Sequence, residues 1–184
     1  MKSLQLSKPH CLIMIGLPGS GKTTFATRFA DTFSAPYISA ESLQAGEATL
    51  EVANDLLREV CKTKQTIVYE GLGGSRVERA AAAKSVRSYG YEPLYVWVQT
   101  DPMVAKQRVT KSTRQAPARM SSQEFDEAAA KFTVPNHSEK AVVLSGMHTY
   151  ASQAKSVLKR LSAANPRPDG VPQRQTQPRR LQIQ

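Results

Sequence analysis

Gly16-Leu17-Pro18-Gly19-Ser20-Gly21-Lys22-Thr23 fits the phosphate-binding pattern G-x-x-x-x-G-K-[ST]. Glycines at these positions let backbone N–H groups turn inward around a polyphosphate, the lysine brings a mobile cation to its outer phosphates, and the threonine offers a hydroxyl to Mg²⁺. Gly16, Pro18, Gly19, Ser20, Gly21, Lys22, Thr23 and the following Thr24 are therefore candidate nucleotide contacts, with Thr23 also a candidate metal contact. Two carboxylates stand where chemistry could use them: Glu41, in the polar stretch Ser39-Ala40-Glu41-Ser42, and Glu70, which closes the β-prone run Thr66-Ile67-Val68-Tyr69. Lys106, Arg108, Lys111, Arg114 and Arg119 then follow with no acidic residue among them. Phosphoryl transfer spreads negative charge over the transferring oxygens and relies on positioned cations more than on covalent chemistry.

A phosphate loop works only between a strand and a helix. Leu12-Ile13-Met14-Ile15 supplies the strand, and Phe25, Phe29 and Phe33, with Ala26 and Ala30 beside them, mark one apolar face of the helix. That helix adds the partial positive charge of its N-terminus to the loop. Tyr37-Ile38 reads as a second short strand, so Glu41 sits at its carboxyl end, where open α/β sheets gather ligand groups. Leu50, Ala53, Leu56, Leu57 and Val60 follow helical spacing from about Thr49 to Lys62. After Glu70, Gly71-Leu72-Gly73-Gly74 makes a turn, and an alanine-rich helix is predicted from Val77 to Tyr89, stopping at Gly90. Leu94-Tyr95-Val96-Trp97-Val98 reads as a central strand covered on both faces, with Trp97 in the core.

Asp101 suits a helix cap and Pro102 the first helical position. Ser121-Ser122-Gln123-Glu124 fits a capping box, and Phe125, Ala128, Ala129 and Phe132 share a face before Pro135. Ala141-Val142-Val143-Leu144 is a fifth strand, and a final helix from about Tyr150 to Leu161 buries Tyr150, Ala154, Val157, Leu158 and Leu161. Strands alternating with helices over short connections imply a parallel sheet with helices on both faces. Past Ala163 the composition turns to proline, glutamine and arginine. Residues 164–184 are expected to be a disordered basic tail, and residues 1–163 one domain.

At 184 residues the chain suits a single core, and no second catalytic domain is expected within it. A net charge of +10 suits an anionic partner: a nucleotide, a nucleic acid contacted through the tail, or neither if the excess serves solubility. Two cysteines give no disulfide framework or zinc spacing, and His10, His137 and His148 are too scattered to ligate a metal together. No stretch is long and apolar enough to span a membrane, and a cytoplasmic location is expected.

With the phosphate loop, the strand-end carboxylate, the basic segment before a capped helix and Pro135 ahead of the last strand, residues 10–161 resemble the P-loop kinase family. More narrowly, they look like the branch of polynucleotide 5′-hydroxyl kinases, gluconate-kinase-like enzymes, zeta toxins and related small phosphotransferases, with an AAA-type ATP-binding domain. The resemblance implies a P-loop NTPase three-layer α/β/α sandwich with a five-stranded parallel sheet, ATP with Mg²⁺ as donor, and a basic lid at about residues 108–120. It implies that the acceptor is a hydroxyl, either a polynucleotide 5′-hydroxyl or one on a small polar metabolite. The family's general base falls at Glu41, which reads equally as a carboxylate stabilised at a helix N-terminus. An arginine expected three residues on is Gln44, and the polar Thr-Asn pair expected after the strand-end carboxylate is Leu72 and Gly73. Glu70 would join Thr23 on the metal or else cap the next helix. Arg108 would meet the nucleotide, and Arg114 and Arg119 the transferring phosphoryl, unless they only solvate the surface; Arg76 and Arg79 would either face the acceptor or, as is expected, stabilise the surface where their helix starts. The alternatives to a kinase are a module that hydrolyses ATP to water and a nucleic-acid-binding accessory protein.

Overall fold

A computed structural model describes residues 6–40, 43, 50–71, 73–111 and 120–164. Glu41, Gln44, Leu72, Arg114, Arg119 and the tail from residue 165 lie outside the described residues. Five strands, β1 (His10–Ile15), β2 (Tyr37–Ser39), β3 (Ile67–Glu70), β4 (Glu92–Gln99) and β5 (Val142–Ser145), form one sheet in the order β2-β3-β1-β4-β5. Every pairing is parallel, with Leu12 opposite Val68 and Leu94, Ile38 opposite Tyr69, and Trp97 opposite Val143. Parallel strands need crossovers, and helices α1 (Lys22–Phe33), α2 (Leu50–Cys61), α3 (Arg76–Ser88), α4 (Pro102–Thr110) and α5 (Ser122–Lys131) lie in them, while α6 (Tyr150–Ala164) follows β5. This is the expected α/β sandwich. β1 lies centrally between β3 and β4, all six of its residues are buried, and its carboxyl end opens directly into the phosphate loop.

Each face of the sheet has its own core. On one, Leu12, Met14, Val68, Val96 and Val98 meet Phe25, Ala26 and Phe29 of α1 and Ala154, Val157 and Leu161 of α6. On the other, Cys11, Ile13, Ile67 and Tyr69 meet Leu57 and Cys61 of α2 and Ala82, Ala83 and Val86 of α3. Within the α2 stripe Leu56 is 40% exposed, while Leu57 and Cys61 are buried against the sheet with Val60 packed beside them.

The termini follow local chemistry. The Asp101 side chain accepts from the amides of Met103 and Val104 with Pro102 at the first position, and Ser121 with Glu124 forms the expected capping box. Gly90 ends α3 with φ +83°. α3 begins one residue earlier than predicted, at Arg76, because Ser75 and Glu78 form a second capping box. Its cap is therefore Ser75, not Glu70.

β4 departs from the reading of a strand covered on both sides. Leu94, Val96 and Val98 are buried, but Tyr95 and Trp97 on the opposite face are only half-buried and Val143 beside Trp97 is 51% exposed. Helix α3 reaches Tyr95, whose hydroxyl donates to the Arg79 carbonyl at 3.1 Å. Trp97 and Val143 lie beyond that helix and line an open groove instead of the core.

Candidate functional site

The phosphate loop is held from beneath. Thr100, just past β4, donates its hydroxyl to the Ser20 carbonyl at 2.9 Å, and the Ser20 amide closes a turn onto Leu17 at 3.1 Å. Gly19 has φ +75°, and a Cβ there would run into the Ala105 carbonyl of α4. Only glycine supplies both the left-handed backbone and the close approach. Gly21, also left-handed, is the N-cap of α1 and makes no side-chain cap, so the amides at that helix start are not tied to a capping side chain. The Lys22 ammonium donates to the carbonyls of Gly16 and Leu17 at 3.0 and 3.1 Å and is thereby held over the loop.

Glu70 is brought to the same mouth by the sheet. It is the last residue of β3, the strand beside β1, and is 1% exposed. The Thr23 hydroxyl donates to its Oε1 at 2.8 Å and the Tyr37 hydroxyl to its Oε2 at 2.5 Å. Both oxygens thus find partners despite the burial, as a buried carboxylate requires. The turn after Glu70 packs flat on the end of β1. A Cβ at Gly73 would strike the Met14 carbonyl, so the chain can pass there only without a side chain.

Arg108 of α4 reaches across the loop, its guanidinium near the Gly19 carbonyl (3.4 Å), the Gly146 carbonyl (3.5 Å) and Met147 Sδ (3.2 Å). It shares the mouth with Lys22, Thr23 and Glu70. Thr24 is exposed on the first turn of α1 and Pro18 is half-buried within the loop. Lys106, from the same basic run, is committed elsewhere: it pairs with Asp126 of α5 at 2.7 Å and ties the two helices together.

Arg79 corrects the expectation that it stabilises an exposed helix surface. It is fully buried, paired to both oxygens of Glu139 at 2.7 and 3.0 Å, and donates to the carbonyls of Gly73 and Thr133 at 3.2 and 2.9 Å. Its hydrogen bonds hold the Glu139 carboxyl below the usual carboxylate range. This clasp fixes the turn behind Glu70 to the segment leading into β5. Arg76 remains exposed, its amide taken by the Thr133 hydroxyl.

Sequence reasoning passed over three contributors: Tyr37, Thr100 and the Arg79–Glu139 pair. Tyr37 was legible only as a strand residue, since its contact with Glu70 exists only once β2 lies beside β3. Among the described residues no cluster of three or more His, Cys, Asp or Glu could hold a metal. Thr23 and Glu70 fit Mg²⁺, which is commonly held by one or two protein oxygens together with substrate phosphates. The loop fits a phosphate chain, for Ser20 Oγ is buried at the loop with no partner among the described residues. No described helix is long and apolar enough to cross a membrane.

The family described as "AAA domain" matches residues 12–135. No curated protein matches the sequence. Among solved structures, a gluconokinase from Sinorhizobium meliloti 1021 is similar at 15% identity and a TM-score of 0.61, over 85% of this chain and 94% of that one. The Mycobacterium tuberculosis APS kinase, solved with AMPPNP and APS, aligns at 17% identity and a TM-score of 0.57, over 84% of this chain and 98% of its own. Kti12 from Chaetomium thermophilum, solved with ADP-AlF3, aligns at 17% identity and a TM-score of 0.64, over 83% and 98%. These likenesses are likenesses of fold. The family match is broader in meaning: it spans two thirds of the sequence and takes in both the phosphate loop and Glu70, and the chain therefore belongs to this AAA-domain family, built on the P-loop kinase fold.

Proposed function

We propose that the chain is an ATP-dependent phosphotransferase that passes the γ-phosphoryl group to an acceptor hydroxyl. The observation that carries this reading is the buried Glu70 carboxylate 2.8 Å from the Thr23 hydroxyl at the mouth of the loop. Loop amides and Lys22 hold the β- and γ-phosphates, and Arg108 covers the loop from α4. Thr23 and Glu70 are the residues that would hold Mg²⁺, which when bound neutralises charge shared by the β- and γ-oxygens. The acceptor oxygen forms a bond to the γ-phosphorus as the bond to the β,γ-bridging oxygen breaks, ADP leaves, and Glu41 takes the acceptor's proton. Arg114 and Arg119, in a lid at about residues 108–120, steady the charge on the transferring group. A cytoplasmic location suits two buried thiols, which burial pushes up and keeps protonated.

A polynucleotide 5′-hydroxyl is supported as acceptor by the charge of +10, and a small polar metabolite by Gln44 in place of an arginine. A second reading, hydrolysis of ATP to water, is favoured by the acceptor-side turn Gly71-Leu72-Gly73-Gly74, which offers no polar side chain. γ-Labelled ATP offered with 5′-hydroxyl oligonucleotides and, separately, with a metabolite pool tests the proposal. Label on either acceptor supports transfer; label in free phosphate alone overturns it in favour of hydrolysis.

A further inference from the structure

The positive charge of the chain is not evenly spread. From Lys140 to the C-terminus there are eight lysines and arginines and a single acidic residue, Asp169, so that residues 140–184 hold +7 of the net +10. Helix α6 has no acidic residue at all and presents Lys155, Lys159 and Arg160 to solvent. Lys159, Arg160 and Lys140 converge on a groove of about 740 Å³ along the free edge of β5, together with His137 and the half-buried Trp97. Among the described residues no carboxylate lines this groove and none of its three cations is ion-paired. The acidic neighbour, Glu139, is turned inward onto Arg79. Among the described residues, neither the phosphate loop nor Glu70 nor Arg108 lines it, so it is separate from the mouth of that loop.

We propose that this groove binds single-stranded nucleic acid, with a base against Trp97 and backbone phosphates on Lys140, Lys159 and Arg160. The volume lies within the roughly 300–1,000 Å³ of small-ligand pockets, so it admits an unstacked nucleotide but not a duplex. An aromatic ring beside cations that track a backbone is the arrangement by which single strands are held without sequence preference. Edge strand β5 contributes the exposed Val143 beside Trp97, which extends the apolar floor. The inference goes beyond phosphoryl transfer and stands whether or not the chain proves to be a kinase.

The chain's one tryptophan makes the test direct. A uridine dodecamer titrated into the full chain is expected to quench Trp97 emission saturably, with affinity falling as salt rises. The combined Lys140→Ala, Lys159→Ala and Arg160→Ala variant is expected to bind about tenfold or more weakly and to lower the log–log salt slope by about 2, with far-ultraviolet circular dichroism and ATP binding unchanged. A chain lacking residues 165–184 is expected to keep the quench at reduced affinity. The proposal is overturned if the dodecamer leaves Trp97 emission unaltered, if the triple variant binds as the parent does, or if polyglutamate of equal length gives the same quench.

Discussion

Glu70 gathers two hydroxyls, one from the first turn of α1 and one from β2, and its charge is what a cation would use. Glu70→Gln keeps the shape and an acceptor oxygen but removes that charge. ATP affinity measured in Mg²⁺ is expected to fall about tenfold or more, as when a residue that tunes a metal site is changed. In excess chelator the two proteins are expected to bind ATP alike; equal affinity in Mg²⁺ would take Glu70 out of the metal role. His10 is a second residue with a measurable signature. Its Nδ1 meets the Lys8 carbonyl at 2.9 Å, its Nε2 is buried with no partner among the described residues, and burial pushes the imidazole down. A depressed folded value means that full stability is present above the unfolded value of about 6.5 and is lost as pH falls below it toward the folded value. Between about pH 7.5 and 5.5 the melting temperature is therefore expected to drop more in the parent than in His10→Gln. Parallel drops would contradict this.

At the scale of elements, what the sequence made legible was what is local. The phosphate loop, the Asp101 cap, the Ser121–Glu124 box and the phenylalanine face of α1 each depend on residues within a few positions of one another, and each stands where spacing put it. The Arg79–Glu139 clasp joins residues sixty apart, and nothing in local patterning distinguishes Arg79 from its exposed neighbour Arg76. Trp97 was misread for a related reason. An apolar run says that a strand is buried, but not that its second face runs past the end of the helix covering it. The clasp has a price that can be measured. Glu139→Gln leaves the fully buried Arg79 guanidinium short of its counter-charge, at a cost of about 3 kcal/mol in urea unfolding. A change within about 0.5 kcal/mol would show that the carbonyls of Gly73 and Thr133 suffice. Because Arg79 lowers the Glu139 carboxyl, the clasp's contribution is expected above the ordinary carboxylate value and is lost as pH falls through the lower folded one.

For the whole molecule, the sheet order β2-β3-β1-β4-β5 sets the division of labour. Central β1 delivers the phosphate loop, β3 beside it delivers Glu70, and β5 at the far edge borders the basic groove. Phosphoryl transfer as proposed depends on the loop and, within it, on Lys22. Among the described residues Lys22 bonds to the loop's own carbonyls, so Lys22→Ala can remove the cation without opening the core. The decisive measurement is the total γ-label released from ATP by Lys22→Ala and by the parent, beside the melting temperature of each without nucleotide. A rate lower by about a hundredfold or more at an unchanged melting temperature is the predicted result; release at the parental rate would contradict the account.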